Sequence, residues 1–180
     1  MRSTRRHSFL TAAILCATVV SCGKPEKPIP AATSPAPAPA AATTPASPVA
    51  TISIAGVQTG VTYPRLDMGE IQNLFDGKRD TLARTENATT AVIDLAFQAT
   101  REASGLEVIT GTMDIGVKVT LTPTEKPDPL VFSQSLVQQS AEPTVRFDFG
   151  GVQKFQRAKV EITNLNGGDG HIHIYEVTFK

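Results

Sequence analysis

The chain of 180 residues contains no tryptophan, two tyrosines and two cysteines. So few broad rings leave little to stack against sugars or bases. Two cysteines cannot form the multi-bridge framework that holds small disulfide scaffolds together. No charge of either sign dominates, since 17 Lys+Arg balance 17 Asp+Glu. The electrostatic footprint of a nucleic-acid binder is therefore missing, and no nucleic acid is expected as a partner. The nucleophile elbow, the phosphate loop and the metalloprotease helix are all missing as motifs. Asp94, Asp114 and Asp148 lie on or beside expected strands, too scattered to propose a carboxylate pair. The expectation is a non-catalytic protein.

The longest apolar run, Phe9 to Val20, is 12 residues and too short to span a bilayer. Arg2, Arg5 and Arg6 precede it, and Ser21-Cys22-Gly23 close it. This arrangement resembles a bacterial lipoprotein signal. The resemblance implies cleavage after residue 21 and acyl chains on Cys22, with the membrane as a partner through that anchor. Gly23 in place of Asp resembles the sorting pattern for the outer rather than the inner membrane. The expected location is the bacterial cell envelope, facing the periplasm or the cell surface. Cys16 is removed with the signal, so the mature chain has neither a disulfide nor a reactive thiol.

Residues 22–50 read as a lipidated cysteine and a disordered linker. Eight of the 13 prolines fall within 24–50, among Ala, Ser and Thr. Such a stretch cannot bury enough apolar surface to offset its ordering entropy. Proline favours extended backbone, so these 27 residues reach about 80 Å at ~3.1 Å each. Residues 51–180 form the one globular part. They carry 12 Lys+Arg and 16 Asp+Glu, a net charge of 12 − 16 = −4.

Within that part the hydrophobic period is two. Strands are expected over 52–57, 90–97, 106–112, 115–122, 130–137, 144–149, 158–164 and 171–179, rich in Val, Ile, Thr and Phe. Met68 to Phe75 has the spacing of a short helix. Asn166-Gly167-Gly168-Asp169-Gly170 is a turn signal. About eight short antiparallel strands predict an all-β sandwich or barrel.

Asp76-Gly77-Lys78-Arg79-Asp80-Thr81 is the most informative short segment. Asp-Gly turns sharply, and a carboxylate, a hydroxyl and turned carbonyls lie within six residues. Two readings stand: a plain solvated turn, or an all-oxygen site for a hard cation such as calcium.

The succession NLFDGKRDTLART, AVIDLAF, SGLEVITG, VKVTLTP, RFDFGG and RAKVEITNLNGGDGHIHIYEVTF resembles the discoidin, or coagulation factor 5/8 type C, superfamily. The resemblance covers the whole globular part. It implies a galactose-binding-like jelly-roll β-sandwich related to family 32 carbohydrate-binding modules. It also implies one structural Ca2+, bound by Asp76, by Thr81, by the main-chain carbonyls of Asn73, Lys78 and Tyr175, and by the Glu176 carboxylate. Asp80 would stabilise the turn. Strand parity groups Glu176 with Ile172 and Ile174 on the core side. The family's tryptophan two residues beyond the threonine is replaced by Ala83. Arg84, His171 and His173 are the polar candidates for a ligand, with His171 and His173 sharing a face with Tyr175. A two-histidine metal clip there lacks a visible third ligand. Two functions remain open. One is a lipid-anchored module that recognises a glycan or glycoconjugate through the loops at one end of the sandwich. The other is a structural or adhesion protein that docks another envelope protein.

Overall fold

A computed structural model describes residues 46–180, apart from 113, 138–141 and 168–169. The signal, Cys22, the linker up to residue 45 and part of the 166–170 turn therefore lie outside the described residues. None of the described helical segments is long and apolar enough to cross a membrane.

The described residues form nine strands. They are β1 (Val49–Ile54), β2 (Val57–Thr62), β3 (Leu66–Met68), β4 (Ala83–Thr85), β5 (Thr90–Thr110), β6 (Ile115–Pro123), β7 (Leu130–Leu136), β8 (Thr144–Asn164) and β9 (His173–Phe179). All pairings between them are antiparallel. The expected strand over 52–57 is instead broken by a two-residue turn. Ala55 and Gly56 both take positive φ, 46° and 82°, the geometry that folds a tight hairpin with matching twist. β1 also begins two residues inside the expected linker, where the Pro48 carbonyl accepts a bond from the Tyr63 amide. The helix expected over 68–75 is a single 3-10 turn, Ile71–Leu74, which buries Ile71 and Leu74.

The largest departure concerns length. The strands expected at 90–97 and 106–112 are one strand, β5, and those at 144–149 and 158–164 are one strand, β8, each of 21 residues. β5 and β8 pair along almost their whole length, with register shifts after Ala96 and Ala103. Such irregularities bend a strand and re-aim its side chains. The first half of β5 joins the second half of β8 in a sheet ordered β1-β2-β5-β8-β6-β7. Their other halves join a second sheet ordered β8-β5-β9-β4-β3.

The core lies between these layers. Ala91, Ile93, Leu95 and Phe97 alternate inward along β5, beside Val117, Val119, Val160 and Ile162 of the same sheet, and the second sheet adds Leu106, Val108, Ile174 and Val177 to the same core. Phe97, Phe155 and Phe179 meet with centroids 5.5–5.9 Å apart, so the two long strands and β9 share one aromatic cluster. Residues 105–110 of β5 are buried at every position, not at alternate ones. Here the outer face of the second sheet is partly covered as well, since Arg79 from the segment after the 3-10 turn lies over Glu107 together with Arg146 and Lys180.

Candidate functional site

That covering segment carries the Asp-Gly turn. Asp76 Oδ1 accepts the Lys78 amide at 2.8 Å, and the Thr81 hydroxyl donates to Asp76 Oδ2 at 3.0 Å. The same hydroxyl lies 3.2 Å from the Lys78 carbonyl. Gly77 donates its amide to Glu176 Oε2 at 3.1 Å, linking positions 99 residues apart. Arg79 reaches Glu107 at 3.6 Å, which fastens the turn to β5. The Asn73 side chain donates to the Leu82 carbonyl at 3.0 Å. Asp80 is exposed, and Asp76 makes the bonds that hold the turn.

Glu176 is buried, but not on the expected face. Ile109 pairs with Glu176 and Thr110 with Ile174, so Tyr175 is an extra residue in β9. A bulge of this kind resets side-chain parity. Ile172, Ile174, Val177 and Phe179 all enter the core, while Glu176 shares the outer face with Ile109 beneath the turn. Burial and then the charge of Asp76 push the Glu176 carboxyl up, against the pull of the Thr178 hydroxyl and the Gly77 amide. Asp76, the Thr81 hydroxyl, the Lys78 carbonyl and Glu176 are all oxygen donors, the chemistry that a hard cation such as calcium takes. Among the described residues no three His, Cys, Asp or Glu side chains gather for a metal. The histidine clip therefore gains no third ligand of those types there.

The three polar candidates do converge. Arg84, on β4, pairs in register with His173 on β9. Its guanidinium grips Asp67 with two bonds, Nε to Oδ1 at 2.8 Å and Nη2 to Oδ2 at 3.0 Å. His171 Nδ1 lies 2.7 Å from the Thr85 carbonyl and 3.4 Å from Asp67 Oδ2. Arg84, through its side-chain bond, holds the Asp67 carboxyl below the usual range. Burial, followed by the charges of Arg84 and His171, pushes His173 down, so its ring is neutral near pH 7. A neutral imidazole offers one donor and one acceptor. Tyr175 closes the patch. A Cβ at Gly111 would come within 2.9 Å of its ring and 3.2 Å of its hydroxyl, so the missing side chain gives the half-buried ring its place. Asp67 is the member that sequence reasoning missed, because nothing local marks a three-residue strand as part of a site.

No protein-family model matches the chain, and no curated protein shows significant similarity to it. Solved structures do resemble it. A GH29 fucosidase of Ruminococcus gnavus in complex with fucose superposes with a TM-score of 0.53 at 11% identity, over 67% of this chain and 25% of the fucosidase. The module CpGH89CBM32-4 of Clostridium perfringens superposes at 0.51 with 14% identity, over 65% of this chain and 90% of the module. The fold is that of a family 32 carbohydrate-binding module. The same fold occurs beyond such modules. A chain from the complex of reduced XRCC1 with the DNA polymerase beta catalytic domain superposes at 0.53 with 11% identity, over 73% of this chain and 97% of that chain. The family 32 fold thus accounts for the two layers and leaves the ligand to the side chains.

Proposed function

We propose that this chain is a non-catalytic, lipid-anchored module of the bacterial cell envelope that binds carbohydrate. Cys22 would carry the anchor, the Pro/Ala-rich linker of residues 22–50 would give the folded part reach from the membrane, and the outer membrane is the expected site. The observation that carries the reading is the convergence of Asp67, Arg84, His171 and His173 beside the Tyr175 ring. An ion-paired guanidinium, a carboxylate and a neutral imidazole hydrogen-bond sugar hydroxyls in both directions, and the ring offers an apolar face. The fucosidase and the clostridial module, whose names speak of fucose and of carbohydrate binding, are the fold neighbours that favour this reading. A structural calcium at Asp76, Thr81 and Glu176, with carbonyls from Asn73, Lys78 and Tyr175, would tie the covering turn to β9 beside the patch.

The test is a glycan array probed with the full chain and with Arg84→Ala and His173→Gln. Wild-type binding to a defined sugar, lost at least tenfold in both variants, is expected. A wild type that binds no glycan, or variants that bind unchanged, would refute the reading. The second reading, docking to an envelope protein, is favoured by one observation. β7 is a seven-residue edge strand, paired on one side by β6 and free of charged residues. Such an edge is open to an added strand. The XRCC1 complex shows this fold in a protein assembly.

A further inference from the structure

We propose that the outer face of the first sheet is a second, separate site, which binds a carboxylate-bearing polysaccharide. A groove of about 550 Å³ runs across β2, β5, β8 and β6. Gly60 and Ala96, in register on β2 and β5, supply its floor because neither has a side chain that rises above the backbone layer. Thr62, Asp94, Thr120 and Lys159 form one wall row, and Thr122 and Arg157 form the next. A smaller cavity of about 310 Å³, lined by Phe97, Pro123, Thr124 and Gln156, continues the groove, and Ala96, Thr122 and Arg157 line both. Arg157 thus stands at the junction of an extended trough rather than in a pocket for one ring.

The lining decides the occupant. Three threonines and Asp94 offer hydroxyls and an acceptor, and apart from Phe97 at the far cavity no aromatic side chain lines the groove. Protein interfaces are enriched in aromatic residues and methionine, and single-stranded nucleic acids need stacking platforms, so both are poor fits. The charge is unusual for this domain. In a part of net charge −4, Arg157 and Lys159 lie two residues apart on one face of β8. Neither is in an ion pair among the described residues, unlike Lys118 with Glu161 in the next row. Two cationic residues whose Cα positions lie about 6.6 Å apart along a strand, flanked by hydroxyls, suit successive carboxylates on a polyhydroxylated chain. Asp94, in register with Lys159, accepts hydroxyls between them.

The site lies on the other sheet from the Arg84 patch and does not depend on that reading. The test measures binding of polygalacturonate, and of the same polymer with its carboxyls reduced, to the full chain by calorimetry. The double variant Arg157→Ala with Lys159→Ala should lose at least tenfold, and the reduced polymer should bind as weakly to wild type. Gly60→Leu is the second variant. A Cβ there meets only Ala96 atoms at 3.8–3.9 Å, so the side chain fills the groove without straining the fold, and it should weaken binding equally with unchanged melting. Wild type that fails to bind, variants that bind normally, a reduced polymer that binds as well, or single-stranded DNA that competes equally would each overturn the proposal.

Discussion

Replacing Glu176 with glutamine should change the stability of this protein in opposite directions with and without calcium. Glu176 as a residue is 5% exposed, and burial and Asp76 raise the proton affinity of its carboxylate in the folded chain. The folded state therefore holds this proton more tightly than the unfolded state, whose carboxyl titrates near the ordinary value of about 4.3. Above that value the folded state binds more protons than the unfolded, so stability falls as pH rises. In chelator at pH 7.5 the neutral isostere removes this penalty. Glutamine keeps an acceptor for the Gly77 amide, and the Thr178 hydroxyl can turn from donor to acceptor. The variant should then melt at or above wild type, with the gap closing toward pH 4. Calcium reverses the order. A cation at a hundred times its dissociation constant, bound only to the folded state, contributes about 2.7 kcal/mol, or roughly 8 °C for a domain of this size. Wild type should show that rise and Glu176→Gln only a fraction of it, with Asp76→Ala behaving likewise. The assay is calorimetric melting of the full chain in calcium and in chelator. Equal melting of wild type in both, or an equal calcium response in the variant, would refute the reasoning.

Two further outcomes follow from geometry already described. His173 has its pKa lowered, so the unfolded chain binds its proton first and acid destabilises the fold through this residue as pH drops below about 6.5. Between pH 7.5 and 5.5 the melting temperature of wild type should fall further than that of His173→Gln, and parallel falls would remove the claim. Gly69 and Gly77 both have positive φ, 73° and 75°, but a Cβ at Gly69 would lie 1.9 Å from the Leu82 carbonyl while Gly77 faces open space. In urea unfolding Gly77→Ala should cost about 1 kcal/mol and Gly69→Ala at least about 3 kcal/mol, and equal costs would show that the close approach at Gly69 is relieved freely.

The alternation of apolar residues was enough to read the sandwich, because a half-buried strand must repeat every two residues. It failed where burial is two-sided or absent. Residues 105–110 are buried throughout, and Gln98 to Thr100 are exposed throughout, so the continuity of β5 has no periodic signature. β3 and β4 are three residues each, shorter than any pattern can register. The Asp-Gly turn was legible because its bonds are local, Asp76 to Lys78 and Thr81. Its partner Glu176 was legible only through the family resemblance, and its face was misassigned because a bulge at Tyr175 leaves no trace in composition. The pairing of Arg84 with His173 and of Asp67 with Arg84 depends on which short strands become neighbours, information that is spread over the whole chain.

The position of β9 has a consequence for the order in which the protein can fold. It follows the other eight described strands in the sequence, yet it sits between β5 and β4 and contributes Ile174, Val177 and Phe179 to the core. Until it arrives, the second sheet is split, the aromatic cluster lacks one ring, and the turn at Gly77 has no carboxylate to close on. Almost all of its pairings span tens of residues, so loop closure is slow and offers no early local nucleus on that side. In a growing chain the second sheet therefore cannot close before β9 has been made.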